Sequence, residues 1–354
     1  MAVLRDEKAR ETLPRYFEVM EGGLPARFQV CKRIEVEIDM TSSDERLWSA
    51  HMQGLKEFRK LLSKVDEQKV KLERLARPEP SPLDLKVELA LRVLKSCQFC
   101  ELRCRVDRTA EKKVVCGLGK LSRVASDFKH RGEEPELVPS YTIFFFGCIF
   151  KCQFCQNGDI SQCPSEGVET SAKSLARLVE NARKDGARNV NGVGGDPGPN
   201  LHTILEALEL CKSNVPSVWN SNMYMSLEAM NLLSGTQDVY LTDFKYGNEK
   251  CAIRYSKVPN YFEVVSRNHR LACADAEILI RHLVLPSNIE CCTRPILELI
   301  SKNMGNMIRV NLMNQYRHEA RTYEYHEISR RVKPEEFERV LATAHHSGLK
   351  NVIT

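Results

Sequence analysis

The sequence predicts a parallel α/β fold. A partial (β/α)6, TIM-like barrel spans residues 139–354, behind a mostly helical N-terminal segment (1–82) and a four-cysteine segment (83–138). Three observations predict it. Beyond Pro139 short apolar runs alternate with helical-period runs, the pattern of βα units that build a parallel sheet through right-handed crossovers. Six such units follow one another, enough for part of a barrel. Each apolar run ends in glycine, polar or charged residues, as expected where the C-terminal ends of barrel strands carry chemistry.

In chain order, residues 28–38 alternate only in part and read as a strand or a short helix. Ser43, Asp44 and Glu45 cap a helix expected from about residue 45 to 75, where Leu47, Met52, Leu55, Phe58, Leu62 and Val65 fall mostly at helical spacing. Arg77-Pro-Glu-Pro-Ser-Pro82 breaks it, because proline lacks the amide proton and clashes with the preceding turn. A second helix is expected over 83–94. Strands follow at 141–146, 189–193, 217–220, 239–244, 278–285 and 307–313. Helices are expected at 171–184, 200–211, 227–233, 295–302 and 334–347.

Composition narrows the class. The 354 residues are 42% hydrophobic and 28% charged, values of a globular chain with ample length for a core. A net charge of +5 reads as a solvated surface. Residues 1–15 are charged and carry no apolar signal region, and no apolar run reaches the ~20 residues of a membrane span. A cytoplasmic chain with no membrane partner is therefore expected. In that reducing compartment the fourteen cysteines read as metal ligands or free thiols, not disulfides.

Cys148, Cys152 and Cys155 form a CxxxCxxC loop directly after the first barrel strand. Structural zinc takes four ligands in a closed tetrahedron, whereas 4Fe–4S clusters are normally held by four cysteines. Three thiolates on one tight loop suit such a cluster with one iron left open to a small molecule, and a zinc loop is the alternative. Upstream, Cys97, Cys100, Cys104 and Cys116 make a four-cysteine set that can close around either zinc or a second iron–sulfur cluster. The other strand ends supply Gly194-Gly195-Asp196-Pro197, Asn220 to Asn222, Asp243 with Lys245, Arg281 with His282, and Asn314-Gln315-Tyr316. Charges such as Asp243 and Lys245 are seldom buried unpaired, which favours a site over plain core. Cys211, Cys251, Cys273, Cys291 and Cys292 carry no assigned role. His282, His318 and His326 read as ordinary polar contacts.

Over about residues 90–350 these motifs resemble the radical S-adenosylmethionine (SAM) superfamily. Within it they are most similar to the pyruvate formate-lyase activating enzyme branch and its PflX-type iron–sulfur relatives. The resemblance implies that Cys148, Cys152 and Cys155 hold a 4Fe–4S cluster whose open iron takes SAM. A reduced donor such as ferredoxin or flavodoxin would then drive cleavage of SAM to methionine and a 5′-deoxyadenosyl radical. That radical would abstract hydrogen from a substrate: a protein glycine as in the activating enzymes, another peptide, RNA or a small metabolite. By position, Gly194, Gly195 and Asp196 meet the SAM amino group, mostly through backbone atoms. Asp243 and Lys245 approach its carboxylate, Asn220 and Asn222 its ribose, and Arg281 matches a fifth-strand arginine. Two departures stand out. The usual Gly-Glu-Pro is Gly-Asp-Pro here, and Gln315 or Tyr316 stands where the activating enzymes often have histidine.

The competing expectation is a non-enzymatic, metal-stapled nucleic-acid-binding or redox-sensing protein, drawing on the basic stretch 103–108 and on Lys112 and Lys113. It would need Cys163 as the fourth ligand of the loop, which would close the open iron.

Overall fold

The structure, a computed structural model, describes residues 7–163 and 167–354. The strands are β1 (Ser122–His130), β2 (Ser140–Phe145), β3 (Val168–Thr170), β4 (Asn189–Gly194), β5 (Ser217–Ser221), β6 (Val239–Asp243), β7 (Glu277–Leu283), β8 (Arg309–Met313) and β9 (Val352–Ile353). They form one sheet in the order β3-β1-β2-β4-β5-β6-β7-β8-β9. From β2 to β9 every neighbour is parallel; β1 runs antiparallel to both β2 and β3. The sheet has two free edges, so the barrel is open, as a partial barrel requires. The six expected strands are present within a few residues. β1, β3 and β9 were not expected: β1 buries few residues beyond Ser122 and Val124, so it shows no apolar alternation, and β9 is two residues long.

The helices are α1 (Glu7–Thr12), α2 (Pro14–Glu21), α3 (Arg27–Cys31), α4 (Asp44–Asp66), α5 (Pro82–Leu94), α6 (Gly158–Gln162), α7 (Ala172–Lys184), α8 (Leu201–Leu210), α9 (Leu227–Leu233), α10 (Glu249–Ser256), α11 (Tyr261–Asp275), α12 (Arg294–Met304) and α13 (Pro334–His346). α4 stops at Asp66, short of the expected end near 75. Gln68 turns left-handed (φ 56°), and the amide of Lys69 closes back onto the Lys64 carbonyl at 2.8 Å. Ser43 does precede α4, but its side chain makes no capping bond. The cap forms instead at α5, where Ser81 and Asp84 bond reciprocally. The region read as strand or helix is the short α3. α4 packs on α5, and α5 on α8 and α9, so the N-terminal helices share the apolar core of the sheet's own helices.

Period-two alternation decides what faces the inside of the sheet. On β6, Val239, Leu241 and Asp243 share a face; on β7, Glu277, Leu279 and Arg281 do. Register places Asp243 beside Arg281 and Arg281 beside Asn311. At the start of these strands α1 and α2 bury Ala9, Leu13, Tyr16 and Phe17 against Val218, Val239, Leu241 and Leu279. Several polar groups at that end are paired. Glu277 accepts the amides of Arg15 (2.6 Å) and Tyr16 (2.8 Å), Asp238 pairs with Arg15 (2.9 Å), and Glu136 pairs with Arg309 (2.5 Å). No helix among the described residues is long and apolar enough to cross a membrane.

Candidate active site

At the opposite end, β2 delivers the chain into the cysteine loop through Gly147. Its φ is +87°, and a Cβ there would lie 2.8 Å from the Cys116 carbonyl oxygen and 2.7 Å from Leu118, so glycine alone fits. The loop is fixed by its surroundings. The amides of Lys151 and Gln153 bond the carbonyls of Ser256 (3.0 Å) and Tyr255 (2.9 Å) at the end of α10. Phe154 meets Tyr246 and Tyr316 edge-on, and Phe150 meets Tyr224 and Tyr261 likewise. Each loop sulfur has a polar neighbour: the Phe150 amide 3.4 Å from Cys148 Sγ, Ser256 Oγ 2.9 Å from Cys152 Sγ, and Ser161 Oγ 3.3 Å from Cys155 Sγ.

All three cysteines line one cavity of about 250 Å³, just below the ~300–1,000 Å³ usual for small-molecule sites. Gly194, Gly195, Asp196, Asn220, Asn222, Asp243, Lys245 and Arg281 line it too, with Gln315 and Tyr316. The structure thus gathers every residue expected at the cofactor site. It changes the reason for some of them. The glycines are required by protein rather than by ligand. A Cβ on Gly195 would sit 2.4 Å from the Gly147 carbonyl oxygen, and one on Gly194 2.2 Å from that of Phe145. The Asp196 carboxylate is buried and turned inward to Ser221 Oγ (3.0 Å) and the amides of Asn222 (3.1 Å) and Gly198 (2.9 Å). Burial pushes its pKa up to about 6. The shorter acid therefore ties the β4 and β5 loops together.

Asn222 accepts the Tyr224 amide (2.9 Å) and turns its Nδ2 toward Cys148 Sγ (3.8 Å). Lys245 pairs with Asp243, and its amide bonds Tyr261 Oη (2.8 Å). Burial disfavours the ammonium, but Asp243 and Cys152 beside it outweigh that and hold its pKa above the ordinary value. Arg281 is engaged by Glu134 (2.7 and 2.5 Å) and by Glu133, both from the loop between β1 and β2. Burial disfavours that guanidinium as well, yet Glu134 and Glu133 keep its pKa raised. These glutamates, Ser161 and Ser256 were not anticipated. Among the described residues, the buried Nδ2 of Asn220, on the cavity wall, has no partner. An unpaired buried polar atom is costly, and this one is open to a polar ligand.

The remaining candidates sort plainly. Cys97, Cys100, Cys104 and Cys116 line one small cavity with Ile149 and Pro199, so the four-cysteine set abuts both the loop and the Gly-Asp-Pro turn. Among the described residues, neither this set nor the loop triad brings three sulfurs within 4.8 Å of one another. Cys163 is exposed and does not line the cavity. His282 is buried between the Phe244 carbonyl and Thr293 Oγ1 (2.8 Å each), while His318 and His326 are exposed. Of the basic stretch, Arg103 pairs with Glu101 and Glu228, and Arg108 is buried on carbonyls, so neither offers a free cationic face.

An uncharacterised protein of Methanocaldococcus jannaschii is 46% identical over 343 residues, covering 95% of this chain and 98% of that one. A pyruvate formate-lyase-activating enzyme of Listeria monocytogenes is 24% identical over 160 residues, 42% of this chain and 64% of that enzyme. Among solved structures, SuiB of Streptococcus suis bound to SAM aligns with a TM-score of 0.45 at 15% identity, over 58% of this chain and 48% of that one. HydG, a maturase of the [FeFe]-hydrogenase, aligns at 0.43 and 10% identity, over 99% and 67%. The Radical SAM superfamily model matches residues 142–300, from β2 into α12, so this stretch is a radical SAM domain, of a family whose cofactors are a 4Fe–4S cluster and SAM.

Proposed function

We propose that this enzyme reductively cleaves SAM in the cavity at the C-terminal end of the sheet and that the resulting 5′-deoxyadenosyl radical abstracts a hydrogen atom from a substrate, forming 5′-deoxyadenosine and leaving the unpaired electron on the substrate. The observation that carries the reading is the convergence of Cys148, Cys152 and Cys155 with the polar ends of β4 to β7 on one cavity. Cys148, Cys152 and Cys155 hold the cluster, which when bound supplies the electron that splits SAM into methionine and a 5′-deoxyadenosyl radical. Lys245 offers a point charge to the methionine carboxylate, with Asp243 fixing its position. Gly194 and Gly195 turn backbone atoms to the amino group, and Asp196 holds that turn against Asn222. Asn220 and Asn222 serve the ribose. Arg281, locked by Glu133 and Glu134, forms a rigid wall. The aromatic side chains around Phe150 and Phe154 keep water from the loop.

The four-cysteine set takes a second iron–sulfur cluster in this reading, adjacent to the loop through Ile149. Ferredoxin or flavodoxin is the class of electron donor. The hydrogen donor is a protein glycine, as for the activating enzymes, or another peptide, an RNA or a small metabolite. The test is anaerobic: load the chain with iron and sulfide, reduce it, add SAM, and measure 5′-deoxyadenosine by chromatography. Nucleoside from the wild type but not from Cys152→Ala is expected. A fully loaded, reducible wild type that leaves SAM intact would sink the proposal.

A further inference from the structure

A third group of cysteines assembles away from the cavity. Cys251 lies in the first turn of α10; Cys291 and Cys292 lie in a one-turn π-helix (Ile289–Thr293) between β7 and α12. π-turns recur at functional positions. Cys251 Sγ is 3.8 Å from Cys291 Sγ, which is 4.0 Å from Cys292 Sγ, and all three sulfurs lie within 4.8 Å of one another. Among the described residues no other three cysteine, histidine or acidic side chains come together this closely. The spacing has a chemical meaning. Zinc–sulfur bonds of ~2.3 Å set tetrahedral sulfur–sulfur edges of ~3.8 Å, whereas a disulfide would need ~2.05 Å.

The surroundings complete a donor set. Asn288 Oδ1 stands 3.4 Å from both Cys251 Sγ and Cys291 Sγ, and its own Nδ2 donates to the Pro286 carbonyl (2.7 Å), which turns the oxygen toward the sulfurs. From the other side Asn248 Nδ2 lies 3.4 Å from Cys251 Sγ and 3.6 Å from Cys292 Sγ, a donor that favours thiolate. The two segments meet because residue 247 is glycine. A Cβ there would fall 2.6 Å from the Cys292 carbonyl oxygen. We propose that Cys251, Cys291 and Cys292, with the Asn288 amide oxygen as fourth ligand, bind one zinc ion that clasps the start of α10 to the turn after β7. The other end of α10 carries Ser256, whose hydroxyl touches Cys152 Sγ at 2.9 Å. The clasp would therefore steady the helix on which the cysteine loop rests.

The full chain, purified anaerobically and loaded with iron and sulfide to fill the other cysteine sites, should be assayed for zinc by elemental mass spectrometry. The wild type and Cys273→Ser should each hold about one equivalent more zinc than Cys251→Ser and Cys291→Ser. Equal zinc in all four proteins would overturn the proposal, as would iron at this site. A measurement on the wild type alone guards against a variant that fails to fold. Cys291 is exposed, so its alkylation by iodoacetamide can be followed by peptide mass spectrometry with zinc bound and after chelation. Zinc should slow alkylation by at least about tenfold, since the metal-bound thiolate is no longer free to react. An unchanged rate, or a Cys251–Cys291 disulfide in the anaerobic protein, would refute the clasp.

Discussion

The two ends of the parallel strands are built by opposite rules. Where β6 and β7 begin, α1 and α2 bury apolar side chains against Val239, Leu241 and Leu279, and Glu277, Asp238 and Arg309 each find a partner. Where the same strands end, the inward positions become Asp243 and Arg281, three thiols face a cavity, and Asn220 Nδ2 is left unpaired. One end is mostly satisfied by the chain's own groups; the other leaves a donor open to a ligand. Stability and chemistry are thereby separated along a single strand, about two inward-facing residues apart.

The largest effect that can test this division lies at the closed end. Phe17 is 2% exposed and stacked edge-on with Tyr16, and Phe17→Ala should cost about 3–5 kcal/mol, seen as a lower urea midpoint. Cluster loading and SAM cleavage per folded molecule should not change. A variant that kept its stability but lost cleavage would break the comparison. At the open end the pattern should invert. Lys245→Met removes a buried charge and frees Asp243. If a charge-assisted contact to SAM of ~1.5–3 kcal/mol is lost, SAM affinity should fall by about 10- to 100-fold in equilibrium binding to the loaded protein. Unchanged affinity would remove Lys245 from the SAM site.

How much of this was legible in the sequence follows from the distance over which each signal acts. The six strands read clearly because burial imposes a local pattern, and CxxxCxxC is visible because its ligands share one loop. Gathering Gly194, Asn220, Asp243 and Arg281 on one rim required only the rule that strand ends of βα units meet. Glu133 and Glu134 could not be read this way. They lie between β1 and β2, and nothing in their neighbours signals that they travel to Arg281, some 150 residues on. Ser256 has no motif and owes its contact with Cys152 to the far end of α10. Cys251, Cys291 and Cys292 are about 40 residues apart and meet only because Gly247 admits the Cys292 carbonyl. β1 stayed hidden because only one side of its first residues is buried.

The smallest predicted effect bears most directly on what completes the open end. Asn220 is 5% exposed, and its Nδ2 has no partner; its Oδ1 receives only a long 3.4 Å contact from Arg281. A buried donor without an acceptor costs stability, ~1–3 kcal/mol, which offsets what its packing contributes. Asn220→Ala should thus leave the stability of the ligand-free chain within about 1 kcal/mol of wild type in urea unfolding. In SAM binding the same substitution removes a donor that the ligand alone satisfies, so affinity should drop by about 5- to 10-fold, near 1 kcal/mol. A variant destabilised by several kcal/mol with unchanged SAM affinity would show that Asn220 belongs to the packed interior. The boundary between the two ends would then lie above β5 instead of across it.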